Sequence, residues 1–222
     1  MTAKQIYVAF PASQTLHERT QAFIKAVEDK PSLDHQALLS AIPSLFIDEV
    51  LAAFFSGPVD ATGMTGSTAS VIHGLMNMVG KASRALANKV LGKVTVAEQK
   101  VLAKHFASLS HEKDGQPYTG YLMDPELANE ALLMFESFRT GDGDREHLVR
   151  IMSAMADGTI REFFDKPMSS VKVGMVTRGL ISAGRATIEK ASHTMNGKVL
   201  PDLEPGVRQH VLEYMEGLLV EI

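Results

Sequence analysis

Two aspartates are the first residues to weigh for chemistry. Asp48 and Asp157 stand 109 residues apart, each six residues before a Phe-Phe pair. If both faced one cleft, mutual repulsion would raise one pKa and set up an acid–base couple. A solvated or helix-capping carboxylate is the simpler reading of each. A second candidate is the segment Thr62-Gly63-Met64-Thr65-Gly66-Ser67-Thr68. Its hydroxyls and N–H groups open a helix, the place where a phosphate-like anion is stabilised. Thr65, Gly66 and Ser67 are the candidate ligand-binding residues there. It is no P-loop, because no lysine follows the glycine and no strand is expected before it. A plain capped loop is again the simpler reading.

Other residue types narrow the chemistry. The chain has no cysteine, which removes thiolate nucleophiles, disulfides and cysteine-held zinc or iron–sulfur centres. Among the eight histidines no two are spaced i, i+4, and no Glu-x-x-His motif occurs, so neither a two-histidine helical zinc site nor a di-iron bundle is expected. No Gly-x-Ser-x-Gly elbow exists to carry a serine nucleophile. We therefore expect no metal and no cofactor. Twelve methionines are a milder signal, since Met suits adaptable apolar surfaces. Met64, Met76 and Met78 in the first half and Met152, Met155, Met168 and Met175 in the second are the candidates to line such a groove, with Met76 and Met175 the candidate ligand-binding residues.

Composition sets the outer bounds. Net charge is −4, with 45% hydrophobic and 22% charged residues, an ordinary globular balance without the basic footprint of a nucleic-acid binder. The N-terminal apolar run is five residues long, too short for a signal-peptide core. No uninterrupted apolar stretch approaches the ~20 residues of a membrane helix. The expectation is a cytoplasmic protein with no integral membrane segment.

The elements that must position these residues read as helices almost throughout, because apolar residues recur at three- and four-residue spacing. Thr15 with Glu18 and Thr95 with Glu98 have capping-box spacing, and Asp124-Pro125 reads as a cap followed by proline at the first helical position. Gly57-Pro58 should end the apolar helix that contains Phe54 and Phe55. Glycines at 74, 80, 174, 179 and 184 interrupt helical patterns, and close helix packing would offset the ~1 kcal/mol each costs.

The second half replays the first. Phe54-Phe55-x-x-Pro58 returns as Phe163-Phe164-x-x-Pro167, and Gly74-Leu75, Gly80 and Gly92 find collinear partners at Gly179-Leu180, Gly184 and Gly197, with offsets between 104 and 110. The fold expected is all-α, about ten helices in two duplicated five-helix halves around a pseudo-twofold axis. The halves would be 1–110 and 124–222, with the polar stretch 111–123 as linker. Two such units would pack their Phe-Phe helices together and leave a ligand cleft between them. The reading of function is a non-catalytic binding or interaction protein that associates with itself or with a protein partner. The alternative is a small-molecule binder or enzyme using the apolar cleft.

Overall fold

The N-terminal apolar run is a β-strand, so the fold is mainly rather than entirely helical. The computed structural model describes residues 5–222; Met1–Lys4, which open the N-terminal segment weighed above, lie outside the described residues. Strand β1 (Ile6–Pro11) pairs with β3 (Gln116–Leu122), and the edges are β2 (Ser110–Lys113) and β4 (Leu219–Glu221), in the order β2-β3-β1-β4. The stretch expected as a linker is thus the β2–β3 hairpin. It turns at Asp114 (φ 53°) and Gly115 (φ 77°), the two left-handed positions that an Asp-Gly type I′ turn needs.

All pairings are antiparallel. At the centre Ala9 faces Gly120, flanked by Tyr7 opposite Leu122 and Pro11 opposite Tyr118. A Cβ at position 120 would lie 2.7 Å from both Ala9 Cα and the Val8 carbonyl oxygen, so only glycine lets these backbones meet. The outer pairings cross over. Strand β2, which ends the first run of helices, joins β3, while β4, which ends the second, joins β1. Neither half closes its own edge.

Among the described residues the helical segments merge into eight rods, not ten. They are α1 (Gln14–Asp29), α2 (Gln36–Thr62, with a turn at 40–42), α3 (Gly66–Leu91) and α4 (Val96–Leu109) in the first half. In the second they are α5 (Pro125–Thr140), α6 (145–169), α7 (175–202) and α8 (Pro205–Glu216). Helix α4 starts on the expected capping box, Thr95 with Glu98, and α5 on the Asp124 carboxylate. Helix α1 is capped by Ser13, whose side chain accepts from the Leu16 N–H, not by Thr15. The α2 rod is 27 residues long and, by length and composition alone, apolar enough to cross a membrane. The sequence count missed that length because Pro43, Asp48 and Glu49 break the apolar run.

Proline explains the irregular turns in these rods. The α2 helix does not stop at Gly57-Pro58 but widens into a π-turn over Ala52–Ser56 and continues to Thr62. Proline lacks an N–H and its ring presses on the carbonyl four residues back, a clash that one wider turn relieves. Helix α6 does the same over Arg161–Asp165 before Pro167, and α7 over Met195–Val199 before Pro201. In each case the π-turn ends two residues before the proline.

Two apolar cores result. Phe23 and Ile24 of α1 pack with Leu102 and Phe106 of α4 in one. Met134 and Phe135 of α5 pack with Ile151 of α6 and Leu212 of α8 in the other, beneath Val8 and Phe10 of β1. Each such side chain taken from water contributes ~1.5–3 kcal/mol. The interrupting glycines divide. Gly80 abuts Leu51 and Gly184 abuts Leu86, as close helix packing requires, but a Cβ at Gly74, Gly174 or Gly179 would meet nothing within 4 Å.

Candidate functional site

A cavity of about 160 Å³ lies between the two halves. Helices α2 and α6 supply most of its wall, because the π-turns bring two successive phenylalanines toward the centre. Phe55 and Phe164 enter the first core, Phe163 enters the second, and Phe54 touches both. Their rings interlock edge-to-face, with Phe54–Phe163 centroids at 6.4 Å, Phe46–Phe163 at 5.3 Å and Tyr121–Phe163 at 5.6 Å. Pairs of this geometry add ~0.5–1.5 kcal/mol each beyond area burial. Phe163 is thus the hub that joins sheet, α2 and α6.

Helices α3 and α7 supply much of the remaining wall, with Val79, Ser83 and Ala87 on one and Ile188, Ser192 and Asn196 on the other, and α4 and α8 add Phe106, Leu109 and Met215. The same offset of 109 that relates Phe54 to Phe163 relates each of these three pairs, and also Phe46 to Met155 and Val50 to Thr159. Polar groups on the wall are few. Asn196 Nδ2 donates to the Met152 carbonyl at 2.9 Å, and the Thr159 hydroxyl donates to the Met155 carbonyl at 3.0 Å. The hydroxyls of Ser83 and Ser192 have no partner among the described residues. They are two polar handles open to a guest.

His105 completes one side, and its Nε2–H donates to the Glu162 carbonyl at 2.9 Å. Burial pushes its pKa below the ordinary value of 6.5, the hydrogen bond to Glu162 opposing that only in part. The imidazole is therefore neutral in the pH range where an exposed histidine begins to charge. The Tyr121 hydroxyl, buried beneath Phe163, is pushed up to about 12 by desolvation and stays protonated, meeting Thr159 Oγ1 at 3.1 Å. This wall holds neutral groups. It suits an uncharged, mostly apolar guest and offers no nucleophile–base pair.

Of the site residues expected from sequence, Met152, Met155 and Met168 line this cavity, whereas Asp48, Asp157, Thr65, Gly66, Ser67, Met64, Met76, Met78 and Met175 do not. Asp48 pairs with Arg84 across α2 and α3, and Asp157 pairs with His193 Nε2 at 2.9 Å across α6 and α7. Each carboxylate serves its own partner. Thr65 is the N-cap of α3 but makes no side-chain capping bond, and Gly66 adopts φ +77°. Ser67 borders a shallow surface depression with Lys198 and Asp202. Met76 packs against the first core, while Met175, at the start of α7, is 87% exposed.

Of the residues that do line the cavity, Phe54, Phe55, Phe163 and Phe164, together with Met152, Met155 and Met168, carried a legible signal. Sequence reasoning also missed Glu189, which lies one turn before His193 and joins it and Asp157 in a cluster of possible metal ligands. The sequence search covered His–His at i, i+4 and Glu-x-x-His, and a Glu-x-x-x-His pair satisfies neither. Comparison with protein families, with curated proteins and with solved structures finds no match for this chain.

Proposed function

We propose that the chain is a duplicated β-α4-β unit whose two copies, packed about a pseudo-twofold axis, bind a small uncharged apolar molecule between them. The observation that carries this reading is the cavity. It sits where the copies meet, much of its wall is built from residues related by one offset, and its free polar groups include two serine hydroxyls at related positions.

Several features support the duplication. The order strand, four helices, strand occurs twice. The sheet registers are unchanged when 111 is added to β1 positions and 109 to β2 positions, so that Val8 opposite Leu219 becomes Thr119 opposite Ser110. The ion pairs Asp48–Arg84 and Asp157–His193 each span 36 residues. In this alignment Gly74 and Gly80 are not the counterparts of Gly179 and Gly184, which stand 105 and 104 residues on. Their apparent matches are about a helical turn out of register.

Size sets the ligand class. A dry apolar cavity of ~150 Å³ holds one benzene-sized guest, and this cavity is similar at about 160 Å³. One aromatic ring or a pair of fused rings, or a short alkyl chain, with a single hydrogen-bonding group would fill it and reach Ser83 or Ser192. The role is binding, with no reaction assigned, and the cysteine-free sequence fits work in the cytoplasm. The test is native mass spectrometry of freshly purified protein followed by titration with indole. A reproducible small adduct, or indole binding at one site per chain, supports the proposal. Bare 24.1 kDa chains that take up no indole would end it.

A second reading, self-association, is favoured by the apolar tip of α7, where Met175 is 87% and Val176 76% exposed. Single large apolar residues on a surface are ordinary, but adjacent ones mark contact sites. Sedimentation equilibrium checks this: a dimer that Met175→Lys disperses supports it, and a monomer at every concentration refutes it.

A further inference from the structure

On the seam between α6 and α7, Asp157, Glu189 and His193 place their ligand atoms within 4.8 Å of one another. We propose that these three side chains form a binding site for a divalent transition-metal cation such as Zn²⁺, which clamps α6 to α7. The proposal uses different residues from the apolar cavity and stands without it.

The geometry is close to what such an ion needs. Zinc bonds to imidazole nitrogen and carboxylate oxygen at ~2.0–2.2 Å, so two neighbouring donors on one tetrahedral ion sit roughly 3.3–3.6 Å apart. His193 Nε2 and Asp157 Oδ1 are 2.9 Å apart and need part by only about half an ångström to hold it. The ion takes the place of the proton between them: an imidazolium releases that proton to solvent, and a neutral imidazole carries its proton on Nδ1 instead. Glu189 and His193 are one helical turn apart on α7 and share a face, so the third donor reaches in by side-chain rotation alone. One oxygen of Glu189, Oε2, accepts from Arg185 Nη1 at 2.5 Å, which leaves Oε1 for the ion. Arg185 is itself held by Asp165, its Nε lying 3.1 Å from each carboxylate oxygen. Fixing of a ligating carboxylate by an outer hydrogen bond is the usual companion of a metal site.

A comparison within the molecule points the same way. In the first half the corresponding seam between α2 and α3 carries Asp48 paired with Arg84, and the position 109 residues before Glu189 is Gly80. There a permanent guanidinium closes the seam. In the second half the guanidinium is replaced by an imidazole, which can be neutral, and the glycine by an extra carboxylate. The second seam has gained a carboxylate, and its guanidinium, Arg185, stands where the first half has Met76, behind Glu189 rather than on the aspartate. One nitrogen with two carboxylate oxygens suits a borderline ion such as zinc better than calcium, which prefers oxygen alone. Asp157 and His193 are 51% and 42% exposed, so water completes the coordination shell.

The experiment is calorimetric titration of the tag-free full chain with ZnCl₂, repeated on Asp157→Asn, Glu189→Gln, His193→Ala and His193→Arg. The expected result is one zinc per wild-type chain, a higher Tm with zinc, and affinity weakened about tenfold or more in the first three variants. His193→Arg copies the first half's ion pair. It should keep the metal-free Tm of the wild type and bind no zinc at this site, which separates lost ligation from lost folding. Absence of zinc binding by the wild type would overturn the proposal. So would unchanged stoichiometry and affinity in His193→Arg, which would place the zinc on other histidines.

Discussion

Replacing Ala156 by Leu should stabilise the protein and close its cavity. Ala156 is half-buried on the α6 wall, and its counterpart 109 residues earlier, Ile47, already puts a branched four-carbon side chain on the α2 wall. The substitution adds three carbons. At ~0.8 kcal/mol per buried methylene they would contribute up to about 2.4 kcal/mol, and ordering a leucine side chain takes back ~0.5–1 kcal/mol. A net gain of about 1.5 kcal/mol corresponds to a Tm rise of roughly 3–6 °C in a chain of this size. The same carbons occupy ligand space, so indole affinity should fall by about tenfold or more, equivalent to ~1.4 kcal/mol. Urea denaturation reads the first effect and calorimetric titration the second. A variant that loses more than about 1 kcal/mol while binding indole like the wild type would refute the placement of the cavity.

Two further outcomes follow from the sheet and from the buried histidine. Gly120→Ala would drive a Cβ into Ala9 and the Val8 carbonyl at the centre of the sheet, and should cost ~1–3 kcal/mol or more in urea denaturation; a change within ~0.5 kcal/mol would show that the β1–β3 pair is not so tightly apposed. Burial lowers the His105 pKa in the folded state from 6.5, so below about 6.5 the unfolded chain binds more protons at this residue and stability falls as the pH falls. Its contribution is complete above that value and is lost as pH drops toward the depressed folded pKa. His105→Phe should flatten the stability profile from about pH 6.5 downward relative to the wild type. An unaltered profile would contradict the assigned burial.

The helices were legible because their signals are local. Apolar periodicity, the Thr95–Glu98 box and the Asp124-Pro125 start each depend on a few adjacent residues. The sheet was hidden because its signals are long-range or brief. Strand β1 reads as an unbroken apolar run rather than an alternation, since Ala9 is buried by Gly120 from a strand more than a hundred residues away. Strands β2 and β4 span only four and three residues. Asp114-Gly115 was the one available cue, and it sat inside a polar stretch that resembles a linker.

Proline misled in a specific way. Gly57-Pro58 looks like a stop, yet a π-turn lets the helix run on and turns both Phe54 and Phe55 inward. The glycine matches misled for a different reason: Gly74 and Gly179 face open space, so packing imposes no register on them, and Gly80 and Gly184 meet different neighbours, Leu51 and Leu86. Asp48 and Asp157 were the related pair that the sequence suggested. Their partners, Arg84 and His193, differ in chemistry and lie 36 residues on, beyond any local pattern.

The most direct test of a ligand cavity between the two halves is to soak crystals of the full chain in iodobenzene and locate the iodine by anomalous scattering. A single strong peak is expected, enclosed by Phe54, Phe163, Val79 and Ile188 and absent in Ala156→Leu. Crystals with no peak there, or with iodine only on the outer surface, would contradict it.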